Sequence, residues 1–245
     1  MRNRRGWGCL ALTVLLALAG WLGWREFQAY VRAHPEQFPW TPLSLADPVG
    51  PFTAQKLAAL SNDPAQCRAL LAAVDDLDRP APARAAAIPE CGYSDGMTIV
   101  AEPGTPSLAP AGLVTACPVA AALHLWLPAV QQAARDHLGT SVTRIDHFGS
   151  YSCRRLYGAS SGPWSEHATA DALDIAGFRL ADGRRITAVG DWSADGPEAA
   201  FLRAARDEAC RLFATVLSPD YNAAHRDHFH LDQAARGARG GSMCR

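Results

Sequence analysis

The chain opens with an apolar run that shows no polar periodicity. Gly6 to Trp24 is a stretch of 19 residues without a charge; Arg2, Arg4 and Arg5 precede it, and Arg25 and Glu26 close it. That length crosses a bilayer core as a helix. Basic residues ahead of the span predict a cytoplasmic N-terminus and export of everything after it. Ala17-Leu18-Ala19 offers a small-x-small cleavage site, but Trp21, Leu22 and Trp24 carry the apolar run past it, which favours a retained signal anchor over a cleaved signal peptide for residues 1–25. Residues 26–55 read as a linker, because Pro35, Pro39, Pro42, Pro48 and Pro51 interrupt any period and predict an extended, semi-rigid spacer. Residues 56–245 read as the folded domain.

Short helical patterns run from Ala54 to Leu60 and from Pro64 to Leu77, followed by a turn-rich stretch and a strand over Met97 to Ala101. Val119, Leu123, Trp126, Leu127, Val130, Ala134 and Leu138 fall on one stripe, predicting a helix over Val119–Leu138 with Pro128 inside it and Gly139 as its stop. Short strands follow at Val142–Phe148, Ala172–Phe178 and Arg185–Val189. The last two are joined through Asp182-Gly183, a hairpin turn signal. Apolar Phe201, Leu202, Ala205, Ala209, Leu212, Phe213 and Val216 extend a helix after Pro197, and a final strand spans His228–Leu231. That order predicts an α+β fold, a small mostly antiparallel sheet with flanking helices.

Composition then narrows the function. Apolar residues make up 49% of 245 and charged residues 19%, with 23 Lys+Arg against 24 Asp+Glu, so no basic field for nucleic acid exists. Beyond the leader, 19 basic residues face 24 acidic ones. Cys9 sits in the leader. The other six, Cys67, Cys91, Cys117, Cys153, Cys210 and Cys244, are an even number in an exported chain, and no C-x-x-C pair suggests a metal cluster; three disulfides are expected, their pairing open. A Cys67–Cys91 bridge would close a local loop, and Cys244 would staple the tail.

Four of the eight histidines fall in two short segments, one around Ser165-Glu166-His167 and one spanning His225-Arg226-Asp227-His228-Phe229-His230. Residues two apart in a strand share a face, so His228 and His230 look into one cleft. Asp174 shares a face with the small Ala172 and Ala176, while Leu173 and Ile175 point to the core. With His167 from the preceding loop, two imidazoles and one carboxylate form a set suited to Zn²⁺ with an open fourth position. Asp171 lacks the flanking strand pattern. Gly158-Ala159-Ser160-Ser161-Gly162 matches a G-x-S-x-G string, but Pro163-Trp164 follows and no apolar strand precedes it, which excludes a nucleophile elbow.

The string Ser165-x-His167-x-x-Ala170-x-Ala172-x-Asp174-Ile175, followed by His228-x-His230, resembles the motifs of the zinc D-Ala-D-Ala peptidases and penicillin-insensitive murein endopeptidases of the lysostaphin-like and hedgehog-like group. Gly149-Ser150-Tyr151-Ser152-Cys153-Arg154 and Asp227-His228-Phe229-His230 resemble the extensin-like C-terminal family of exported bacterial proteins, over about residues 60 to 244. The resemblance implies His167, Asp174 and His230 as zinc ligands. It places His228 beside the metal to steady the transition state, Asp227 in the base position of the carboxypeptidase branch, and His225 where the endopeptidases carry an additional histidine. Tyr151, Arg154 and Ser165 are the substrate-binding candidates. Ala170 replaces the usual Gly, and Arg154 lies three residues after Tyr151 where the carboxypeptidases place Arg directly after Tyr. The implied function is an exported, periplasmic zinc peptidase cutting peptidoglycan stems from an inner-membrane anchor; the alternative is a non-catalytic wall-binding scaffold.

Overall fold

The computed structural model describes residues 3–74, 79–100, 104–234 and 242–245. Arg2, the last residues of the helix expected to reach Leu77, and Ala101 of the expected strand lie outside them. Helix α1 spans Asn3–Ala33, and its 27-residue portion Trp7–Ala33 holds an apolar run long enough to cross a membrane. Export is consistent with that helix and with the disulfides described below.

The stretch after α1 is not strung out as a spacer. Leu45 is buried in the core, with Leu43 and Val49 packed against it. Lys56 Nζ donates to Pro35 O and Thr41 Oγ1, each at 2.9 Å. Prolines remove periodicity without preventing irregular backbone from burying its apolar side chains.

Helix α2 (Thr53–Ala59) and α3 (Pro64–Val74) lead to five short strands and one more: β1 (Arg79–Pro80), β2 (Arg84–Ala85), β3 (Gly92–Tyr93), β4 (Gly96–Thr98), β5 (Ser107–Ala109) and β6 (Val114–Ala116). Strands β1, β4 and β6 form one small sheet, and β2 and β3 a separate hairpin. Helix α4 (Cys117–Leu138) carries Pro118 in its first turn, where a missing N–H costs nothing, and ends on Gly139 at φ +66. Its predicted stripe is the buried one, and Pro128 stands on the exposed side.

The main sheet uses β7 (Val142–Gly149), β8 (Ala172–Leu180), β9 (Arg185–Thr187), β10 (Thr215–Leu217), β11 (Phe229–Asp232) and β12 (Met243–Cys244), together with β5. Its order is β12-β10-β11-β8-β7-β5, with β9 also paired to β8. Pairs β5–β7 and β10–β12 are parallel; the others are antiparallel. Helices α5 (Ala188–Asp191) and α6 (Pro197–Cys210) complete the chain. Phe178 of β8 meets both Trp126 of α4 and Phe201 of α6, so both long helices cover one face of the sheet. Trp126 buries its indole N–H on Ala205 O at 2.9 Å, which satisfies its one donor.

Three expected elements end early, the first being the strand from Met97, which stops at Thr98. The strand from Arg185 stops at Thr187, whose hydroxyl accepts from Gly190 N–H at 3.1 Å while Asp191 Oδ2 accepts from Thr187 N–H at 2.8 Å. That reciprocal cap starts α5 at Ala188. The helix after Pro197 ends at Cys210; Leu212 and Phe213 lie in the following turn and Val216 in β10. A strand buried on both faces is a continuous apolar run, which periodicity cannot tell from a buried helix.

The disulfides pair Cys67 with Cys117, Cys91 with Cys153 and Cys210 with Cys244. The local Cys67–Cys91 bridge is therefore wrong, because α3 lies against α4 and brings Cys67 to the start of that helix. The tail staple is present. Cys67 and Cys117 are 50 residues apart and fully buried, so the loop entropy they remove from the unfolded chain is about 4 kcal/mol. Cys67→Ala/Cys117→Ala is expected to lower unfolding free energy by about that amount in denaturant titrations under non-reducing conditions.

Candidate metal centre

The centre starts from strand register. His230 of β11 stands opposite Asp174 of β8, and Asp232 opposite Ala172. Directly opposed residues hold their Cβ atoms about 5 Å apart, so imidazole and carboxylate meet without distortion: His230 Nδ1 lies 3.0 Å from Asp174 Oδ1.

His167 arrives from a short 3-10 turn, Glu166–Thr169. Its backbone is gripped from both sides: Ser165 Oγ accepts from His167 N–H at 3.4 Å, and Ser152 N–H donates to His167 O at 2.8 Å. The turn closes on Ala170 at φ +59, ψ 17, in the left-handed region. Glycine adopts that region freely, whereas any Cβ costs about 1–2 kcal/mol there. Ala170 is completely buried, so the strained Cβ packs inside the protein. Its carbonyl takes hydrogen bonds from Ser150 Oγ at 2.9 Å and Ala116 N–H at 2.8 Å, which hold the turn in place.

The two rings have fixed tautomers. His167 Nδ1 lies 2.6 Å from Ser150 O, which only accepts, so Nδ1 carries the hydrogen and Nε2 turns its lone pair inward. His230 Nε2 lies 3.0 Å from Asp232 Oδ2, so Nδ1 is its inward lone pair. His167 Nε2 stands 3.1 Å from His230 Nδ1 and 3.2 Å from Asp174 Oδ2. Three acceptors therefore face one another, with one ligand atom from each residue lying within 4.8 Å of the others. Such a set is repulsive unless a positive charge sits among them, and the donor chemistry fits a metal ion. Without one, a proton serves: burial works against the charge on His230, but hydrogen bonds to Asp174 and Asp232 outweigh it and raise its pKa to about 9. Burial would raise the Asp174 carboxyl, yet the positive charge on His230 and the His167 ring beside it hold it well below the ordinary carboxylate range.

Around this trio stand the remaining expected residues. His228 precedes β11 by one residue, and its Nε2 lies 3.5 Å from Asp174 Oδ1. Asp227 accepts from His228 Nδ1 at 2.8 Å, so its carboxylate reaches the trio through His228 and not directly. His225 stacks against His228 and His230, with ring centroids at 5.3 and 5.9 Å. Its Nδ1–H donates to Asn222 Oδ1 at 2.8 Å. Burial, then repulsion from His228 and His230, lowers its pKa to about 4, so it is neutral at pH 7. Arg154 is exposed and close enough for its charge to act on His225. Tyr151 meets Tyr93 edge to face at 5.7 Å and lies under the Arg84 guanidinium. Ser165 is buried, and its hydroxyl shapes the His167 turn. The G-x-S-x-G segment is an exposed loop.

Sequence reasoning missed Asp232, the acceptor that fixes the His230 tautomer. The signal was present as His230-Leu231-Asp232, two residues apart in a strand. Phe148, 61% exposed with its ring centroid 5.7 Å from that of His228, was also missed.

A disulfide-stapled α+β domain with a His-Asp-His group where its sheet meets a 3-10 turn is the class that fold and site define. The family described as Extensin-like protein C-terminus matches residues 65–245, and the chain belongs to it. Neither curated proteins nor solved structures provide a match.

Asp232→Asn is expected to weaken metal affinity 10- to 100-fold with all three ligands intact, measured by competition against a chelating dye. A second outcome concerns Asp171, whose carboxyl is buried with Oδ1 unpartnered; burial, then the charges of Glu166 and Asp232, raise its pKa well above the ordinary 3.8. The folded state holds this proton better than the unfolded state does, so stability is greatest below about pH 4 and falls as pH rises through the folded value. Asp171→Asn should therefore raise the melting temperature at pH 7, with a gain that shrinks toward pH 4.

Proposed function

We propose that the protein is an exported zinc-dependent peptidase that hydrolyses amide bonds in peptidoglycan peptide stems, held in the periplasm by α1 as an inner-membrane anchor. The observation that carries this reading is the convergence of His167 Nε2, His230 Nδ1 and an Asp174 oxygen, each ring locked from behind in the ligand tautomer. Two imidazoles and one carboxylate are a catalytic zinc set, and the murein peptidase resemblance of the motifs supplies the substrate class. A zinc ion held there would supply Lewis acidity and bring the pKa of water toward neutrality.

The chain's own residues supply the proton handling. His228 presents Nε2 at the edge of the trio with Nδ1–H anchored on Asp227. In that tautomer Nε2 takes a proton from attacking water and returns it to the leaving nitrogen, while Asp227 stabilises the imidazolium between the two transfers. Asp227 is thus a positioning residue and His228 the base. Neutral His225 keeps a second positive charge away from His228. Arg154 offers an exposed cation for a substrate carboxylate.

The alternative is a wall-binding scaffold that keeps the metal for stability, open because Asp227 does not itself reach the trio. One zinc per purified chain is expected, lost in His167→Ala. Purified peptidoglycan should release muropeptides with wild type, and at least about 100-fold more slowly with His228→Ala. A wild-type digest with no released product would leave the scaffold reading standing.

A further inference from the structure

Three arginines stand side by side on the central sheet. Arg144 of β7 is opposite Arg179 of β8, and Arg179 is opposite Arg185 of β9. Their side chains are 43, 46 and 54% exposed. They share one acid, Asp146, whose oxygens lie 2.6 Å from Arg144 Nε, 3.4 Å from Arg185 Nε and 3.9 Å from Arg179 Nε. Like charges directly opposed destabilise a sheet. Three in one row against one carboxylate, on a domain that is acidic as a whole, is a pattern that folding alone disfavours.

This row lies on the same face as the metal ligands. The alternation along β8 breaks once, where Asp146 pairs with Gly177 but His147 pairs with Ile175. That bulge keeps both Ile175 and Phe178 in the core, fully buried. It leaves Asp174 and Arg179 both on the outer side. At about 3.3 Å per residue the two are roughly 15 Å apart, the length of four to five extended residues.

We propose that Arg144, Arg179 and Arg185 form a carboxylate-binding subsite that receives the acidic arm of an extended peptide lying along β8, its scissile bond at the metal. Cleavage of that peptide at the metal rests on the peptidase reading; anion binding by the row does not. The closest approach to Asp146 is through Nε in each arginine, so Asp146 fixes the stems while the planar guanidinium heads offer the paired donors that grip a carboxylate bidentately.

The test uses full-length protein in neutral-lipid nanodiscs, with His228→Ala as background to prevent turnover, and titrates soluble muropeptides from purified peptidoglycan with carboxylates free or amidated. The free form should bind at least about tenfold more tightly at low salt. In Arg179→Gln/Arg185→Gln the gap should shrink at least fivefold, with a melting temperature at or above that of the parent, since a like-charge pair is gone. No preference for the free form, or a preference the double variant keeps, overturns the subsite. So does a variant that loses affinity for phosphatidylglycerol nanodiscs and not for muropeptides, which assigns the row to lipid headgroups. Carboxylate-dependent binding that needs the arginines, in a wild-type protein that holds no zinc and cuts nothing, keeps the subsite and removes the peptidase reading.

Discussion

Three electron-pair donors aimed at one another are the constraint around which this domain is arranged. Asp174 and His230 are forced together by the β8–β11 register, and His167 is pressed onto them by a turn closed in a left-handed conformation. Buried acceptors without a donor cost on the order of 1–3 kcal/mol each. The surroundings do not relieve this cost; Ser150 O and Asp232 take the only ring hydrogens on the outer side and leave the inner lone pairs bare. A proton on His230 is one solution and a divalent cation is the other. Both need the positive charge at the same place.

The disulfides serve that arrangement unequally. Cys67–Cys117 joins α3 to the start of α4 and belongs to the core. Cys91–Cys153 ties the β2–β3 hairpin to the loop containing Ser150 and Ser152, which contact the His167 ring and backbone. Cys210–Cys244 holds β12 alongside β10, which pairs with β11 and so stands one strand behind His230. Two of the three bridges thus brace backbone next to a ligand. A sheet with few long strands gains most from such staples where side chains must stay within a few tenths of an ångström.

The longer elements were legible because burial imposes a period. The α4 stripe, β7, β8 and the Asp182-Gly183 turn follow from alternation, heptad-like spacing and glycine at positive φ. The trio was legible because strand alternation puts Asp174 and His230 on outward faces. What escaped depends on contacts that no local pattern encodes. Strands of two or three residues such as β1, β6 and β12 exist only because a partner lies beside them. Disulfide pairing follows helix packing, and Leu45 reaches the core from proline-rich chain. Asp232 is different: its two-residue spacing from His230 was readable, but an acid that binds a ring from behind leaves the same trace as any strand-end carboxylate.

The position of Asp227 shows how one backbone detail redirects chemistry. Three residues before His230, an acid in a continuous strand would face away from the trio. The chain is not continuous there: the 3-10 turn Ala223–His225 precedes it, and β11 begins only at Phe229. The bend brings His228 onto the edge of the trio, and Asp227 follows it to the far nitrogen of that ring. A carboxylate acting directly would have to be ionised beside Asp174, two negative charges at one centre. Placing imidazole between them separates the acids and, in the reaction proposed above, gives the proton a carrier. There the His228 ring meets Phe148 and His225, with ring centroids at 5.7 and 5.3 Å. Those contacts and the hydrogen bond to Asp227 restrict the swing of an imidazole that stands outside the strand.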